Sequence, residues 1–255
     1  MQKINDMLSN DLTDKVVLIT GGAQRVGAMT ARLLHAAGAN LIVHYRNSRQ
    51  TALDLQAELN EQRKNSVILI QADLLETIKL KSIIKKSIEQ WGRLDILINN
   101  ASSFYATPMG SVTERDWDDL TGSNLKAPFF LSQAAAPYLE KQRGCIINIV
   151  DIHAQRPMQE HSVYNIAKAG LAMLVKTLAF ELGPKIRVNG VAPGAIMWPA
   201  QDMDDITKQR IVSRTYLKRK GSAEDIAATV LFLAANADYI TGQIIAVDGG
   251  RSLYL

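Results

Sequence analysis

Tyr164 and Lys168 stand four residues apart in the run Tyr164-Asn165-Ile166-Ala167-Lys168. On a helix that spacing puts both side chains on one face, with the ammonium beside the phenol. A free phenol ionises near pH 10, too high for efficient proton exchange near neutrality, and a neighbouring cation favours the phenolate. Tyr164 is therefore a candidate general acid. Thirteen residues upstream lies Asp151, a third group able to hold or pass a proton. The competing reading of Asp151 is a cap on the turn that follows a strand. A solvated lysine one turn from a packed tyrosine would show the same spacing, so the pair needs a site around it.

That site begins at Val16-Val17-Leu18-Ile19-Thr20, a short, continuous and β-branched run that reads as a buried parallel strand. It leads into Gly21-Gly22-Ala23-Gln24-Arg25-Val26-Gly27, and the helical composition of the next stretch ends at Gly38. Glycines at 21, 22 and 27 let the backbone turn tightly and approach a pyrophosphate, which then sits on a helix N-terminus. The second strand, residues 41–45, ends where an acid would bind the ribose hydroxyl of NAD. No acid stands there. Arg46-Asn47-Ser48 follow, and the first carboxylate is Asp54, inside the next helix. A guanidinium and a hydroxyl suit a 2′-phosphate, so the predicted cofactor is NADPH.

The strand and helix alternation continues. A helix is predicted at 51–62, a strand at 67–70, a helix around Ile83 to Trp91 and a strand at 94–98. Further helices follow around 129–139 and 164–182, with strands at 145–150 and 186–191. Ser222-Ala223-Glu224-Asp225 reads as a capped helix start, and Ile244-Ile245-Ala246-Val247 as a last strand. The expected fold is α/β, a single-domain Rossmann-type doubly wound parallel sheet. Residues 1–13 are read as a polar N-terminal tail and 14–255 as the NADP-binding domain. Ligands on such sheets bind beyond the carboxyl ends of the strands.

With 255 residues and 47% hydrophobic content, one sizeable core is expected. No uninterrupted apolar run approaches the ~18 residues of a membrane span, and the first residues are too polar for a signal peptide, so a cytoplasmic location is expected. The net charge is +4, but the basic residues are mixed with acids and lack aromatic platforms, which argues for anionic small ligands and against nucleic acid. Cys145, the only cysteine, lies in an apolar run and reads as a small core hydrophobe. His35, His44, His153 and His161 show no ligand spacing, and no metal site or catalytic histidine is predicted.

Thr20-Gly21 with Gly27, Asn99-Asn100-Ala101, Asn124, Tyr164 to Lys168, Arg187-Val188-Asn189 with Pro193-Gly194, and Asp248-Gly249-Gly250 occur in order. Together they resemble the short-chain dehydrogenase/reductase family over about residues 14–252. Arg25 departs from a position that is usually glycine, and Asp151 from one that is usually serine. These departures, with Asn100-Ala101-Ser102-Ser103-Phe104-Tyr105 and His44-Tyr45, are similar to the pteridine reductases of that family. The resemblance implies a catalytic set of Asp151, Tyr164, Lys168 and Asn124, with Asn124 supporting a proton-relay water. It implies cofactor contacts from Gly21, Arg25, Val26, Gly27, Tyr45, Arg46, Asn47, Ser48, Asp73, Leu74, Asn100, Ala101, Ser102, Lys168, Pro193 and Gly194. Among these, Asp73 would contact adenine and Lys168 the nicotinamide ribose. The implied substrate contacts are Arg25, Ser102, Phe104, Asp151, Tyr164 and Trp198, with Phe104 stacked on a pterin.

The expected reaction is hydride transfer from NADPH to the C=N carbon of a dihydropterin, with Tyr164, Lys168 and Asp151 relaying a proton to nitrogen. Dihydrofolate or an oxidised pterin are further substrates of the same type. A ketone or 3-oxoacyl-thioester reductase remains the nearer alternative, and a non-enzymatic NADPH sensor the farther. The resemblance implies a homotetramer, and apolar residues 171–178 suit either core or interface.

Overall fold

β1 (Val16–Ile19) is buried along its whole length, as an uninterrupted branched run requires of an inner parallel strand. It pairs in parallel with β2 (Asn40–Tyr45) on one side and β4 (Ile96–Asn99) on the other. With β3 (Val67–Gln71), β5 (Cys145–Ile149), β6 (Arg187–Pro193) and β7 (Ile244–Val247), these make a seven-stranded parallel sheet of order β3-β2-β1-β4-β5-β6-β7. The computed structural model describes residues 10–196 and 204–253.

Successive strand residues feed opposite layers. Val17, Ile19, Leu41 and Val43 pack with helices α1 (Arg25–Ala36), α2 (Arg49–Gln62) and Ala223–Ala235 on one face. Val16, Leu18, Ile42 and Leu97 pack with α3 (Thr77–Glu89), Ala127–Gln142 and Ser162–Leu182 on the other. Each such fully buried branched side chain contributes roughly 1.5–3 kcal/mol of transfer free energy, which fixes the register of every strand. In chain order the later helices are α4 (Glu114–Thr121), α5 (Ala127–Gln142), α6 (Ser162–Leu182), α7 (Asp205–Ser213) and α8 (Ala223–Ala235). By length and composition α6 alone among the described helices could cross a membrane, but half of it is buried, and its apolar face is committed to the sheet.

The capped start predicted at Ser222 is present as a capping box with Asp225. Cys145 is buried in β5, and burial raises its thiol to about 11, which leaves it an inert core residue. Beside two short 3-10 turns, three elements were not expected. These are α4, opened by a Thr113–Asp116 capping box, a π-helical turn at Gly122–Lys126 that joins α4 to α5, and α7, capped by Asp204. Leu12, expected in a polar tail, is buried in the core and donates its N–H to Ala37 O at 2.7 Å, so the packed body reaches back to it.

The strand sequence reverses direction across β1 and β4, and the crevice at their carboxyl ends is where such sheets hold ligands.

Candidate active site

Thr20 ties the two strand ends together at the crevice. Its Oγ1 accepts from Asn100 N at 2.9 Å and Ala101 N at 3.0 Å. The Asn100 amide in turn donates to Thr20 O at 2.9 Å and Gly21 O at 3.0 Å, which holds the glycine turn in place. Gly21 has a φ of +59°, and a Cβ there would come within 2.9 Å of the Ala101 backbone. A Cβ at Gly27 would lie 2.4 Å from Gly21 O. Neither position admits a side chain. Arg25 opens α1 at a φ of 52°, which explains why glycine is the usual residue there; the left-handed conformation costs an arginine about 1 kcal/mol or more. No side chain caps α1 and its first turn carries no acid, so its first N–H groups suit an anion.

His44 braces the turn from below. Its Nδ1 accepts from Gly21 N at 3.2 Å and its Nε2 donates to Ala72 O at 3.1 Å. Burial lowers its pKa to about 4, so the ring is neutral near pH 7. Beyond β2, Arg46 Nη1 lies 3.8 Å from Asp119 Oδ1 on α4. The Ser48 backbone starts α2 while its hydroxyl makes no capping bond. Asp73 Oδ1 accepts from Leu75 N at 3.0 Å.

At the other end of the crevice, Tyr164 Oη donates to Asp151 Oδ2 at 2.7 Å. Asp151 Oδ1 accepts from His153 N at 2.8 Å and so caps the 3-10 turn Ile152–Ala154. One oxygen thus makes the turn cap and the other faces the phenol. Lys168 Nζ donates to Ile149 O at 2.8 Å and stands 5.6 Å from the centre of the Tyr164 ring. Burial lowers Lys168 to about 8, opposed by the Asp151 charge. Tyr164 moves against expectation. Burial, then the Asp151 carboxylate, hold its phenol well above the ordinary 10, because the carboxylate touches the hydroxyl while the ammonium is drawn to the end of β5.

Asn124, in the π-helical turn, is 1% exposed and does not border the crevice. Its Oδ1 accepts from Ser102 Oγ at 2.6 Å, and its Nδ2 donates to Ser103 O and Leu120 O, each at 2.9 Å. The amide thus anchors the loop after β4. π-Helical turns recur at functional sites because they re-aim a side chain in this way. Phe104, on that loop, is 49% exposed, and its ring stands edge-on to Tyr164 at 4.9 Å.

The turn, the end of β2 and the Tyr164 end of the crevice border one cavity of about 730 Å³. It brings together Gly21, Arg25, Val26, Gly27, Tyr45, Arg46, Asn47, Ser48, Asp73 and Leu74 with Asn100, Ala101, Ser102, Phe104, Asp151, Tyr164, Lys168 and Pro193. Gly194 is outside the lining; it packs on Asp248, where a Cβ would meet the Asp248 Cβ at 2.5 Å. Trp198 lies outside the described residues.

The family model described as enoyl-(acyl carrier protein) reductase matches residues 21–252, nearly the whole length. The chain belongs to the short-chain dehydrogenase/reductase family. Among relatives of this reductase, Pteridine reductase 1 of Leishmania tarentolae is 36% identical over 94% of this chain and 97% of its own. A 3-oxoacyl-(acyl-carrier-protein) reductase of Staphylococcus aureus is also 36% identical, over 92% of this chain and 97% of its own. That of Thermotoga maritima is 34% identical over 94% and 98%. Two substrate classes thus stand at equal identity, and the choice between them falls to individual side chains.

Several residues of the reductase site escaped sequence reasoning. Gln24, Ser123 and Ile149 line the cavity without any motif to mark them. His44 entered the resemblance through the His44-Tyr45 pair, but its bracing role was unmarked, since its bonds to Gly21 and Ala72 are made across strands. His161 stacks on Phe104, with ring centroids 4.9 Å apart and 18° between planes. Among the described residues no group of three or more His, Cys, Asp or Glu converges as a metal site would.

Proposed function

We propose that this reductase is an NADPH-dependent pteridine reductase that converts a dihydropterin, with dihydrofolate or an oxidised pterin as related substrates, to the tetrahydro form. The observation that carries the reading is the 2.7 Å bond from Tyr164 Oη to Asp151 Oδ2. In ketone reduction negative charge grows on oxygen, and a carboxylate beside the proton donor opposes it, whereas a serine hydroxyl would stabilise it. Reduction of C=N asks instead for a proton at nitrogen, which a carboxyl group can supply through the tyrosine.

The residues suit the cofactor. The turn at Gly21 and Gly27 leaves backbone where side chains would intrude, α1 opens without a competing acid, and Arg46 and Ser48 offer a cation and a hydroxyl to a 2′-phosphate. Asp73 would take the adenine and Lys168 the nicotinamide ribose. When bound, NADPH supplies the hydride, and the chain supplies position and protons. Tyr164 and Asp151 share one proton across their bond. Once Asp151 takes up a second proton from solvent in the crevice, that bond reverses, and Tyr164 can donate its own hydrogen to the substrate nitrogen while accepting one from Asp151. The phenol then stays neutral throughout, as its raised pKa favours, and the charge appears on Asp151, where Lys168 attracts it. Ser102 and Arg25 border the same space, and Phe104 gives it an aromatic wall for a flat ring.

A second reading, a 3-oxoacyl-thioester reductase, rests on the equal identity to the Staphylococcus aureus enzyme. NADPH oxidation measured in parallel with a dihydropterin, dihydrofolate and an acetoacetyl thioester decides between them. Turnover confined to the thioester refutes the proposal, and tight NADPH binding with no turnover on any substrate leaves a sensor. The proposal takes the enzyme as cytoplasmic and homotetrameric. Phe129, Phe130, Met173 and Phe180, exposed on α5 and α6, are apolar surface that further copies would cover.

A further inference from the structure

Phe104 sits on a loop, yet its ring is held on two sides. Tyr164 meets it edge-on at 4.9 Å, and His161 lies nearly parallel to it at the same centroid distance, 18° from coplanar. Both partners come from the start of α6, three residues apart, so they share one helical face. The His161 ring is itself fixed, since Nδ1 donates to Gln159 O at 2.8 Å. The two backbones are joined as well. Thr107 and His161 form a parallel bridge, Ser162 Oγ donates to Thr107 O at 3.1 Å, and Val163 N donates to the buried Thr107 Oγ1 at 3.4 Å. The loop that carries Phe104 is thereby registered on the turn of helix that carries Tyr164.

We infer that His161 is a positioning residue that sets the plane of Phe104, and through it the seat of a flat heteroaromatic substrate against Tyr164. The inference rests on the pteridine reading. With one face covered by His161 and an edge contact to Tyr164, the half of Phe104 that stays exposed is what it offers to the cavity. A loop aromatic without such backing would sample several rotamers, and each substrate molecule would have to order it at a cost in affinity. His161 removes that cost beforehand. An acyl thioester has no ring to stack, so the device serves one substrate class over the other.

The test compares His161→Ala, His161→Phe and His161→Asn in the full-length enzyme. For His161→Ala the KM for dihydropterin should rise about three- to tenfold, the scale of an aromatic pair, with kcat and NADPH affinity unchanged, as loss of uniform binding requires. His161→Phe keeps a ring and should restore the KM. His161→Asn keeps only a hydrogen-bonding group and should behave like the alanine variant. Direct titration of the enzyme–NADP⁺ complex with a fluorescent pterin should show the same ordering. An unchanged KM in His161→Ala, or rescue by asparagine and not by phenylalanine, overturns the role of His161 alone. Absence of wild-type turnover and binding with the pterin removes the pteridine reading and this inference with it.

Discussion

Replacing Asp151 by serine separates the two tasks its oxygens perform. The cap on the turn at Ile152–Ala154 survives, because serine is itself a good capping residue, and folding stability should change by less than about 1 kcal/mol from that source. The bond from Tyr164 does not survive as a relay, because a hydroxyl cannot take up and pass on a proton as a carboxyl group does. Losing a positioned acid or base costs about a hundredfold to ten-thousandfold in rate, a rise in barrier of about 3–5 kcal/mol. NADPH affinity should be almost unaffected, since Asp151 belongs to the proton path and the carbonyl that Lys168 holds is Ile149 O. The assay is kcat with saturating dihydropterin and NADPH, with cofactor affinity from fluorescence titration and thermal melting on the same samples. An independent readout is the tyrosinate titration. The carboxylate is the second cause of the raised Tyr164 pKa, after burial, so Asp151→Ser should bring the phenol down while burial keeps it above 10. Wild-type turnover in Asp151→Ser with cofactor binding verified would refute the relay and return the thioester reductase to first place.

Arg46→Ala should weaken NADPH about tenfold or more while leaving NADH nearly untouched, and Asp119→Asn should act in the opposite sense by removing an anion 3.8 Å from the guanidinium; equal effects on both cofactors in steady-state assays would discard this strand end as the selector. His44 has a folded pKa of about 4 against an ordinary 6.5, so it contributes stability that is full above about pH 6.5 and is lost as pH falls towards 4, about 3 kcal/mol at 1.36 kcal/mol per pH unit. Urea melts across that range, compared with His44→Gln, should show the difference closing in acid, and parallel curves would contradict it.

What could be read from sequence divides by the range of the forces involved. Strands β1 to β7 were visible because continuous branched runs and glycine or polar breaks are local signals, and the glycine turn was visible because phosphate binding needs backbone at fixed offsets. The helix at Ala223–Ala235 was marked by Ser222 and Asp225, and the same type of box at Thr113 and Asp116 marks α4, a signal that was present and not used. The π-helical turn at Gly122–Lys126 has no local signature, since it is set by how Asn124 reaches Ser102 and Leu120. The contacts of His44 and His161 were invisible for a related reason. Their partners, Gly21, Ala72 and Phe104, lie 23, 28 and 57 positions away along the chain, and only the sheet order brings them together.

The direction of the Tyr164 shift shows what spacing alone leaves out. Four residues on a helix place Lys168 beside Tyr164, but they do not say which of them finds another partner first. Here the ammonium is claimed by Ile149 O at the end of β5, and the same strand end delivers Asp151 to the hydroxyl. Burial does most to keep the phenol protonated, and the carboxylate in contact adds to it while the cation is held against a carbonyl. A tyrosine poised as phenolate would favour charge transfer to and from an oxygen. One kept neutral between a carboxyl group and the substrate favours passing a proton without acquiring charge, which is what a nitrogen acceptor needs. On the pteridine reading, the residue after β5 is where the choice between the two chemistries would be made, and the Asp151→Ser variant tests it.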